Sequence, residues 1–469
     1  MSMNNNQTAV YTPLTPGSHY FFCGIGGAGM NPLAHILAAR GMCVSGSDCR
    51  ESDVLDALRA HGITCFAGHD SSQLSSADVF VSSSAIASDN PELLAAREKG
   101  IPCVHRSDVL ATLVNHARGV AVAGTHGKTT VSALTAILFA RGGADPTAVI
   151  GGFVPEFNAF YRNGASDWMI VETDESDGSF QKIESEIAVV LNIDSDHLDY
   201  YDDIDNIVRA FSVFCSKVKP VGTLVFNQDA ACVADAISSA PESVARISCS
   251  SKGQADFRAH SIVYSPWSSQ FVVGEGELEY EIELGIPGRH NVMNALQAIA
   301  AARSAGIGIE AIREGCRVFH GVHRRFQVLG TYEGATVIDD YAHHPREIAA
   351  TIATAAALGS RCLVVFQPHR YSRTAKLFDE FTDVLSGIER LILTDIYSAS
   401  ETAEAVSGRT LYDRIRLQNN AVVYCEDIEK VPQAVASRVQ AGDIILFLGA
   451  GSLSQIAHQM VENKHTGVA

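Results

Sequence analysis

Short apolar runs that end in glycine, serine or acidic clusters recur along the chain, and most lead into a stretch with helical spacing. His19-Tyr20-Phe21-Phe22-Cys23 reads as a strand that enters Gly24-Ile25-Gly26-Gly27-Ala28-Gly29, with a helix from about Asn31 to Arg40 behind it. Met42 to Gly46 is a second strand ending at Ser47-Asp48, and Val79-Phe80-Val81 runs into Ser82-Ser83-Ser84-Ala85. A second region opens near Asp108. Its first strand, Val120 to Ala123, is followed by a glycine turn and a helix from Val131 to Ala140. Trp168 to Glu172 and Ile187 to Asn192 read as strands with polar ends, whereas Ser248 to Leu284 alternates and suggests a small antiparallel insert. A third region begins near Arg325, with strands at Thr336–Asp340, Cys362–Gln367 and Asp443–Leu448 and a final helix. Strands alternating with helices predict an α/β fold with parallel sheets covered on both faces.

At 469 residues the chain is expected to form about three domains. The pattern places them at 1–107, 108–324 and 325–469. The formal charge of −18 argues against a nucleic-acid partner, because a phosphate backbone demands a cationic surface. The 11 cysteines have no paired metal-ligand spacing and read as free thiols of a reducing cytoplasm. Met1 to Pro16 carries no basic and apolar leader pattern, and no uncharged apolar run nears the roughly 20 residues that span a bilayer, so no membrane association is expected.

The sharpest chemical signal is Gly124-Thr125-His126-Gly127-Lys128-Thr129-Thr130, between a buried strand and a helix. Backbone N–H groups of such a turn converge on a phosphate at the positive helix end. Lys128 then reaches the terminal phosphates, and a hydroxyl of Thr129 or Thr130 suits Mg²⁺. The ordinary pattern wants a glycine where Val122 stands, so this turn is a shorter variant with a histidine before Gly-Lys. The bland alternative, a glycine turn that merely closes the junction, does not explain Gly-Lys-Thr-Thr at the helix start.

Glu172 opens an acidic stretch through Asp177 at a strand end, where Mg²⁺ needs a few carboxylates beside phosphate oxygens. His197, amid aspartates after the next strand, reaches a metal ion or a phosphate, or is simply a structural hydrogen-bonding residue. Asn291 in Gly288-Arg289-His290-Asn291 suits either a helix N-terminus or a purine base. Arg370 and Arg373 suit a carboxylate or phosphate by forked hydrogen bonding, or a solvated basic turn. Gly449-Ala450-Gly451-Ser452 reads as a close-packing turn rather than a phosphate site. Gly24-x-Gly26-x-x-Gly29, with Asp48 about 20 residues on, is the weak fingerprint of a dinucleotide turn.

Together these stretches resemble the Mur ligase family, the ATP-dependent amino-acid ligases of peptidoglycan precursor synthesis. The resemblance runs from Gly24 to Gly451. The segments Glu172 to Asp177, His290-Asn291, Arg324-Arg325-Phe326, Asp340 to Pro345 and His369 to Arg373 are similar to its alanine-adding branch. It implies a Rossmann-like domain for a UDP-sugar, a central P-loop-type ATPase domain and a Rossmann-like C-terminal domain for the amino acid. It implies that ATP, with Mg²⁺, phosphorylates the lactyl carboxylate of UDP-N-acetylmuramate, and that L-alanine attacks the acyl phosphate. It leaves the assembly as a monomer or a homodimer.

Carried over by that resemblance, Gly124, Thr125, Gly127, Lys128, Thr129 and Thr130 hold ATP. Lys128 takes the transferred phosphoryl group, Thr129 and Glu172 ligate Mg²⁺, and His197 joins that cluster. His290, Asn291 and Asn294 surround the adenine, and Arg325 clamps the nucleotide. His343, Arg370 and Arg373 face the acyl phosphate and the alanine. Gly24, Gly26, Gly27, Ala28, Gly29, Asp48, His69, Ser83 and Ser84 hold the uridine diphosphate, and His126 approaches the reacting carboxylate or its diphosphate. Two departures stand out. The helix Asn206 to Phe214 has no lysine where many family members carry a carbamylated one, and Ser400 replaces an expected glycine near the amino-acid pocket. The rival readings are a murein-tripeptide ligase with the same nucleotide sugar, an NAD-dependent oxidoreductase built on the Gly24 turn, and a non-catalytic nucleotide-binding regulator.

Overall fold

The computed structural model describes residues 14–74, 76–399, 401–403 and 405–462, so the Ser400 departure lies outside the described residues. The chain forms two compact units. One comprises the chain up to His260 with Val273–Tyr280 and Met293–Cys316; the other comprises Ser261–Val272, Glu281–Val292 and the chain from Arg317 on.

The first unit opens with a five-stranded sheet of β1 (His19–Cys23), β2 (Cys43–Asp48), β3 (Thr64–Ala67), β4 (Val79–Ser82) and β5 (Cys103–His105). Its order is β3-β2-β1-β4-β5, and every pairing is parallel. Successive side chains of a strand face opposite ways, and here both faces are buried. Tyr20 and Phe22 join one apolar cluster while Phe21 and Cys23 join another. That is why these strands read as continuous apolar runs rather than alternating ones. The chain builds outward from β1 in one direction and returns to build from β4 in the other. The Gly24 turn and Ser83-Ser84 therefore lie at the point where the order reverses, which is where open α/β sheets take ligands.

The larger sheet contains β6 (Arg118–Ala123), β7 (Thr147–Val154), β8 (Ala159–Arg162), β9 (Trp168–Glu172), β10 (Ile187–Val190), β11 (Thr223–Asn227), β12 (Ala245–Ser250), β13 (Phe257–Tyr264), β14 (Ser269–Glu275) and β15 (Leu278–Leu284). The order is β15-β14-β13-β12-β11-β10-β6-β9-β7-β8. The pairings from β13 through to β7 are parallel, and the β7–β8 pair at that end is antiparallel. The small antiparallel insert expected from Ser248 begins later than expected, since β13, β14 and β15 are neighbours joined by short turns. Ser248 to Ser250 complete β12, and β13 extends the parallel sheet through Cys249↔Phe257. Alternation marks one exposed face, not strand direction. The helix Lys128–Arg141 is buried along nearly its whole length, and a Cβ at Gly315 would lie 2.6 Å from the Leu138 side chain.

The second unit carries β16 (Gln327–Tyr332), β17 (Ala335–Asp340), β18 (Cys362–Phe366), β19 (Leu391–Thr394), β20 (Val423–Cys425) and β21 (Ile444–Leu448), ordered β16-β17-β21-β18-β19-β20. All pairings but β16–β17 are parallel. Leu446 and Leu448 pack on one face, Ile445 and Phe447 on the other. No helix of the described residues is long and apolar enough to cross a membrane. The eleven cysteines are free thiols; Cys43, Cys49 and Cys103 are exposed.

In the first unit a buried ion pair ties the helix Arg106–Asn115, within which Asp108 falls, to the short helix Ser179–Lys182. Lys182 Nζ donates to Asp108 Oδ1 at 2.9 Å and to Ser107 Oγ at 3.1 Å, with both charged side chains under a tenth exposed. Lys182→Met leaves Asp108 as an uncompensated buried charge and is expected to cost about 3 kcal/mol of unfolding free energy. Urea titration measures it; a loss below about 1 kcal/mol would give the pair no more weight than a surface one.

Candidate functional site

Strand β6 lies between β10 and β9, so three strand ends meet at one sheet edge: the Gly124 loop, Glu172, and the segment from Asn192 to His197. Gly124 has φ of +151°, and a Cβ there would sit 2.8 Å from Leu191. Gly127 caps the helix at φ +88°, where a Cβ would meet Asn294 Oδ1 at 2.7 Å. Both positions need glycine. Asn192 locks the loop, accepting from His126 N–H at 2.8 Å and donating to His126 O at 2.9 Å. Thr125 Oγ1 accepts from Asp194 N–H at 2.9 Å, and Asp194 Oδ2 lies 3.5 Å from His126 Nε2.

Lys128 Nζ donates to Gly124 O at 2.5 Å, Thr125 O at 3.1 Å and Glu175 Oε1 at 2.8 Å. Burial works against its charge, but the carboxylate of Glu175, helped by Glu172 and Asp174, more than offsets this and raises the ammonium pKa. Thr129 Oγ1 donates to Glu172 Oε1 at 3.0 Å, and Gly151 N–H to Glu172 Oε2 at 2.7 Å. His197, at φ +53°, has Nε2 3.8 Å from Glu175 Oε1 and 3.7 Å from Asp196 Oδ2. Thr130 and Asn294 are buried beside this edge. A hydroxyl next to a carboxylate oxygen, at a phosphate loop, is a donor set that suits a hard cation with oxygen ligands.

In the same unit the Gly24 turn is fixed from below. Gly24 N–H and Ile25 N–H donate to Ser47 O at 2.8 and 2.9 Å. Asp48 Oδ2 accepts from Gly26 N–H at 3.0 Å while Oδ1 accepts from Cys49 N–H at 2.8 Å. Asp48 thus clamps the turn itself, a role distinct from the ligand contact expected of it. Gly27 N–H bonds Gly24 O, leading through Ala28 to Gly29, against which the Arg106 guanidinium rests. Arg106 also contacts Asp174 at 3.4 Å, linking this turn to the acidic stretch. Ser83 and Ser84 follow β4, and His69 follows β3 with Nδ1 bonded to Ser47 Oγ and Glu92.

The second unit gathers a different set. His290 is pushed down to about 4 by burial and by the charge of Arg325. Asn291 Nδ2 donates to Pro287 O at 2.7 Å, so this amide has a helix-terminal partner. Arg324 and Arg325 lie over Tyr341 at 4.8 and 5.1 Å from the ring centre. Arg324 Nη2 donates to Gly449 O at 2.8 Å, and a Cβ at Gly449 would strike Gln367 O at 2.8 Å, in keeping with a packing turn. His343, His369 and Tyr397 form a row, with ring centres 5.9 and 5.5 Å apart. Burial, reinforced by His343, Arg373 and Arg370, holds His369 down to about 3. Arg370 takes φ +72°, held by its N–H to Tyr397 O at 2.8 Å, and Arg373 Nη1 lies 3.3 Å from His369 Nδ1. A non-glycine residue in that conformation stores strain.

Lys128, Thr129, Glu172 and His197 therefore share one edge with His126 and Asn294, and His290, Asn291 and Arg325 belong with His343, Arg370 and Arg373 in the second unit. The sequence reading assigned no role to Glu175, Asn192, Asp194 or Gly151. Glu175 was visible only as one of several acids in its stretch. Asn192 stood at a strand end on the right edge, which was the signal available for it.

A Cβ at Gly151 would lie 2.6 Å from Glu172 Oε2. Gly151→Ala is expected to displace that carboxylate and weaken Mg²⁺-nucleotide binding about tenfold; wild-type affinity by calorimetry would show that the backbone does not position Glu172. In the second unit, burial raises Asp340 from 3.8 to about 6, against the charge of Arg325. The native state then binds the proton more tightly than the unfolded one, so stability is full below about pH 4 and falls as pH rises to about 6. Relative to Asp340→Asn, the wild type is expected to lose up to about 3 kcal/mol between pH 4 and 7. An equal gap at both pH values in urea titrations would sink this.

Residues 19–118 match the model described as Mur ligase family, catalytic domain. Residues 122–302 match the Mur ligase middle domain, and residues 324–451 match the Mur ligase, glutamate ligase domain. A UDP-N-acetylmuramate–L-alanine ligase of Geotalea daltonii is 44% identical over 94% of this chain and 97% of its own. One from Carboxydothermus hydrogenoformans is 39% identical over 94% of this chain and 95% of its own. Among solved structures, a UDP-N-acetylmuramate–alanine ligase of Thermotoga maritima superposes with a TM-score of 0.79 at 26% identity, covering 96% of this chain and 100% of that one. A murein peptide ligase of Psychrobacter arcticus shares the fold, with a TM-score of 0.71 at 22% identity over 97% of this chain and 100% of that one. Matched along all three regions and nearly end to end, the chain belongs to the Mur ligase family.

Proposed function

We propose that the chain joins L-alanine to the lactyl carboxylate of UDP-N-acetylmuramate, converting ATP to ADP and phosphate, in cytoplasmic peptidoglycan precursor synthesis. Family membership makes it an ATP-dependent ligase that forms an amide bond. The observation that carries the finer reading is the convergence of Lys128, Thr129 and Glu172 at one sheet edge, in a chain 44% identical to an alanine-adding relative. Eleven free thiols agree with a reducing compartment.

A carboxylate is a poor electrophile, so the reaction needs it converted to a mixed anhydride whose phosphate leaves easily. In this reading the loop N–H groups and Lys128 bear the charge of the transferred phosphoryl group, with Glu175 keeping Lys128 protonated until the phosphate replaces it as partner. Thr129 and Glu172 would hold Mg²⁺, which when bound neutralises phosphate charge. His197 and His126, with Asp194 beside it, orient the reactants at that edge. The Gly24 turn, Asp48, His69 and the two serines hold the sugar nucleotide. His290, Asn291 and Asn294 would receive the adenine and Arg325 would clamp the nucleotide. His343, Arg370 and Arg373 would take the alanine carboxylate and the acyl phosphate, where a forked guanidinium matches two oxygens at once. The corresponding division into domains is 1–107, 108–324 and 325–469.

The test supplies purified protein with ATP, Mg²⁺ and UDP-N-acetylmuramate, and with either L-alanine or a murein tripeptide. Phosphate release is expected only when the sugar nucleotide and L-alanine are both present. Release with tripeptide but not alanine would select the recycling reaction, release independent of any acceptor would end the ligase reading, and NAD(H) turnover would select the oxidoreductase.

A further inference from the structure

Beneath the Gly24 turn lies a carboxylate that the reaction above does not use. Glu92 has no exposed surface. Its Oε2 accepts from Ser47 Oγ–H at 2.6 Å and from His69 Nδ1 at 3.0 Å, and its Oε1 from Asp70 N–H at 3.2 Å. Cys23 Sγ lies 3.8 Å from the same His69 Nδ1. Among the described residues, His69 is the ion-pair partner of Glu92, and no lysine or arginine is paired with it. A fully buried carboxylate without a fixed cation is costly, and for packing alone an apolar side chain of similar volume serves as well or better. The helix Pro91–Glu98 lessens the cost, because Glu92 stands in its first turn at the positive end.

The four groups come from four successive segments of the sheet and its connections. Cys23 ends β1, Ser47 lies near the end of β2, His69 follows β3, and Glu92 lies in the first turn of the helix after β4. Ser47 serves twice, its carbonyl holding Gly24 N–H and Ile25 N–H and its hydroxyl holding Glu92. The array therefore ties the glycine turn and His69 to one buried anion.

We propose that Glu92 is a positioning residue for sugar-nucleotide binding: it fixes the proton of His69 on Nδ1 and leaves Nε2 as the outward nitrogen at the Gly24 edge. Which ring nitrogen carries the proton is set by the bond the other one makes. The side chain of His69 is 22% exposed, so one side of the ring is open to a ligand while Nδ1 is held inside. This rests on the reading of that edge as the sugar-nucleotide site.

The test compares Glu92→Leu, Glu92→Gln, His69→Ala and the Glu92→Leu/His69→Ala double variant. Loss of a supporting partner of this kind costs about 10–100-fold, so Glu92→Leu is expected to raise KM for UDP-N-acetylmuramate about tenfold or more, with kcat and KM for ATP within about twofold. Glu92→Gln, whose amide oxygen still accepts from Nδ1–H but whose NH₂ opposes Asp70 N–H, should recover most of that loss. In the His69→Ala background Glu92→Leu should add nothing. ¹⁵N spectra of the imidazole give a readout that does not depend on turnover: Nδ1 protonated in the wild type and in Glu92→Gln, and mixed tautomers in Glu92→Leu. If His69→Ala raises KM while Glu92→Leu neither changes KM nor the tautomer, the positioning role fails and the site reading stands. If His69→Ala leaves KM unchanged, the site reading fails at this residue and takes the proposal with it. Tight binding of Zn²⁺ alone, lost in Cys23→Ser, would also overturn it, since Nδ1 would then be a metal ligand.

Discussion

A buried ammonium keeps its proton only beside an anion, and the candidate site depends on how Lys128 meets that condition. Glu175, from the acidic stretch after β9, supplies the charge, and two loop carbonyls complete the set of acceptors around the ammonium. The arrangement has the loop fold back on its own lysine, which goes with the two left-handed glycines and the pair of hydrogen bonds between Asn192 and the His126 backbone. Thr129 and Glu172 are then brought within hydrogen-bond distance with no further adjustment. One electrostatic requirement thus determines the loop, its neighbours on two strands and the start of the helix.

The sheets explain why such groups meet at all. A strand buried on both faces has nowhere to put a polar side chain except at its ends. In both units the residues with chemistry crowd onto the carboxyl edge for that reason. Where the strand order reverses at β1 and β4, the edge opens between helices and gathers the glycine turn with its serines. In the second unit the same edge carries the row of His343, His369 and Tyr397, and Arg370 tolerates a strained backbone because Tyr397 holds it from the next strand end.

Much of this was legible in the sequence, for a physical reason. Strands such as Phe21–Cys23 and Ile187–Val190 appear as unbroken apolar runs because no face of them meets water. The Gly124 loop stood out in the sequence because its conformation admits few residue types. Glu175 was not, because nothing in composition separates an acid paired with a buried lysine from its neighbours Asp174 and Asp177. The parallel course of β13 was hidden since alternation reports exposure and is silent about pairing. Asp48 was visible as an acid at the right distance, yet its bond to Gly26 N–H arises only when β2 lies beside β1. Glu92 and Ser47 gave no signal at all: a single carboxylate in a helix start looks like any first-turn acid.

The distribution of thiols has a practical side. Of the exposed ones, Cys43 and Cys103 begin strands of the five-stranded sheet and Cys49 directly follows β2, while Cys23, beside Glu92, is buried with its pKa driven far up by that burial and by the neighbouring carboxylate. Electrophiles and oxidants react with the thiolate, so they will find the rim of this sheet and pass over its interior. Cys49 is the informative one, for its backbone N–H holds the carboxylate that clamps the glycine turn. A reporter group attached there sits one residue from that clamp and is placed to follow the turn.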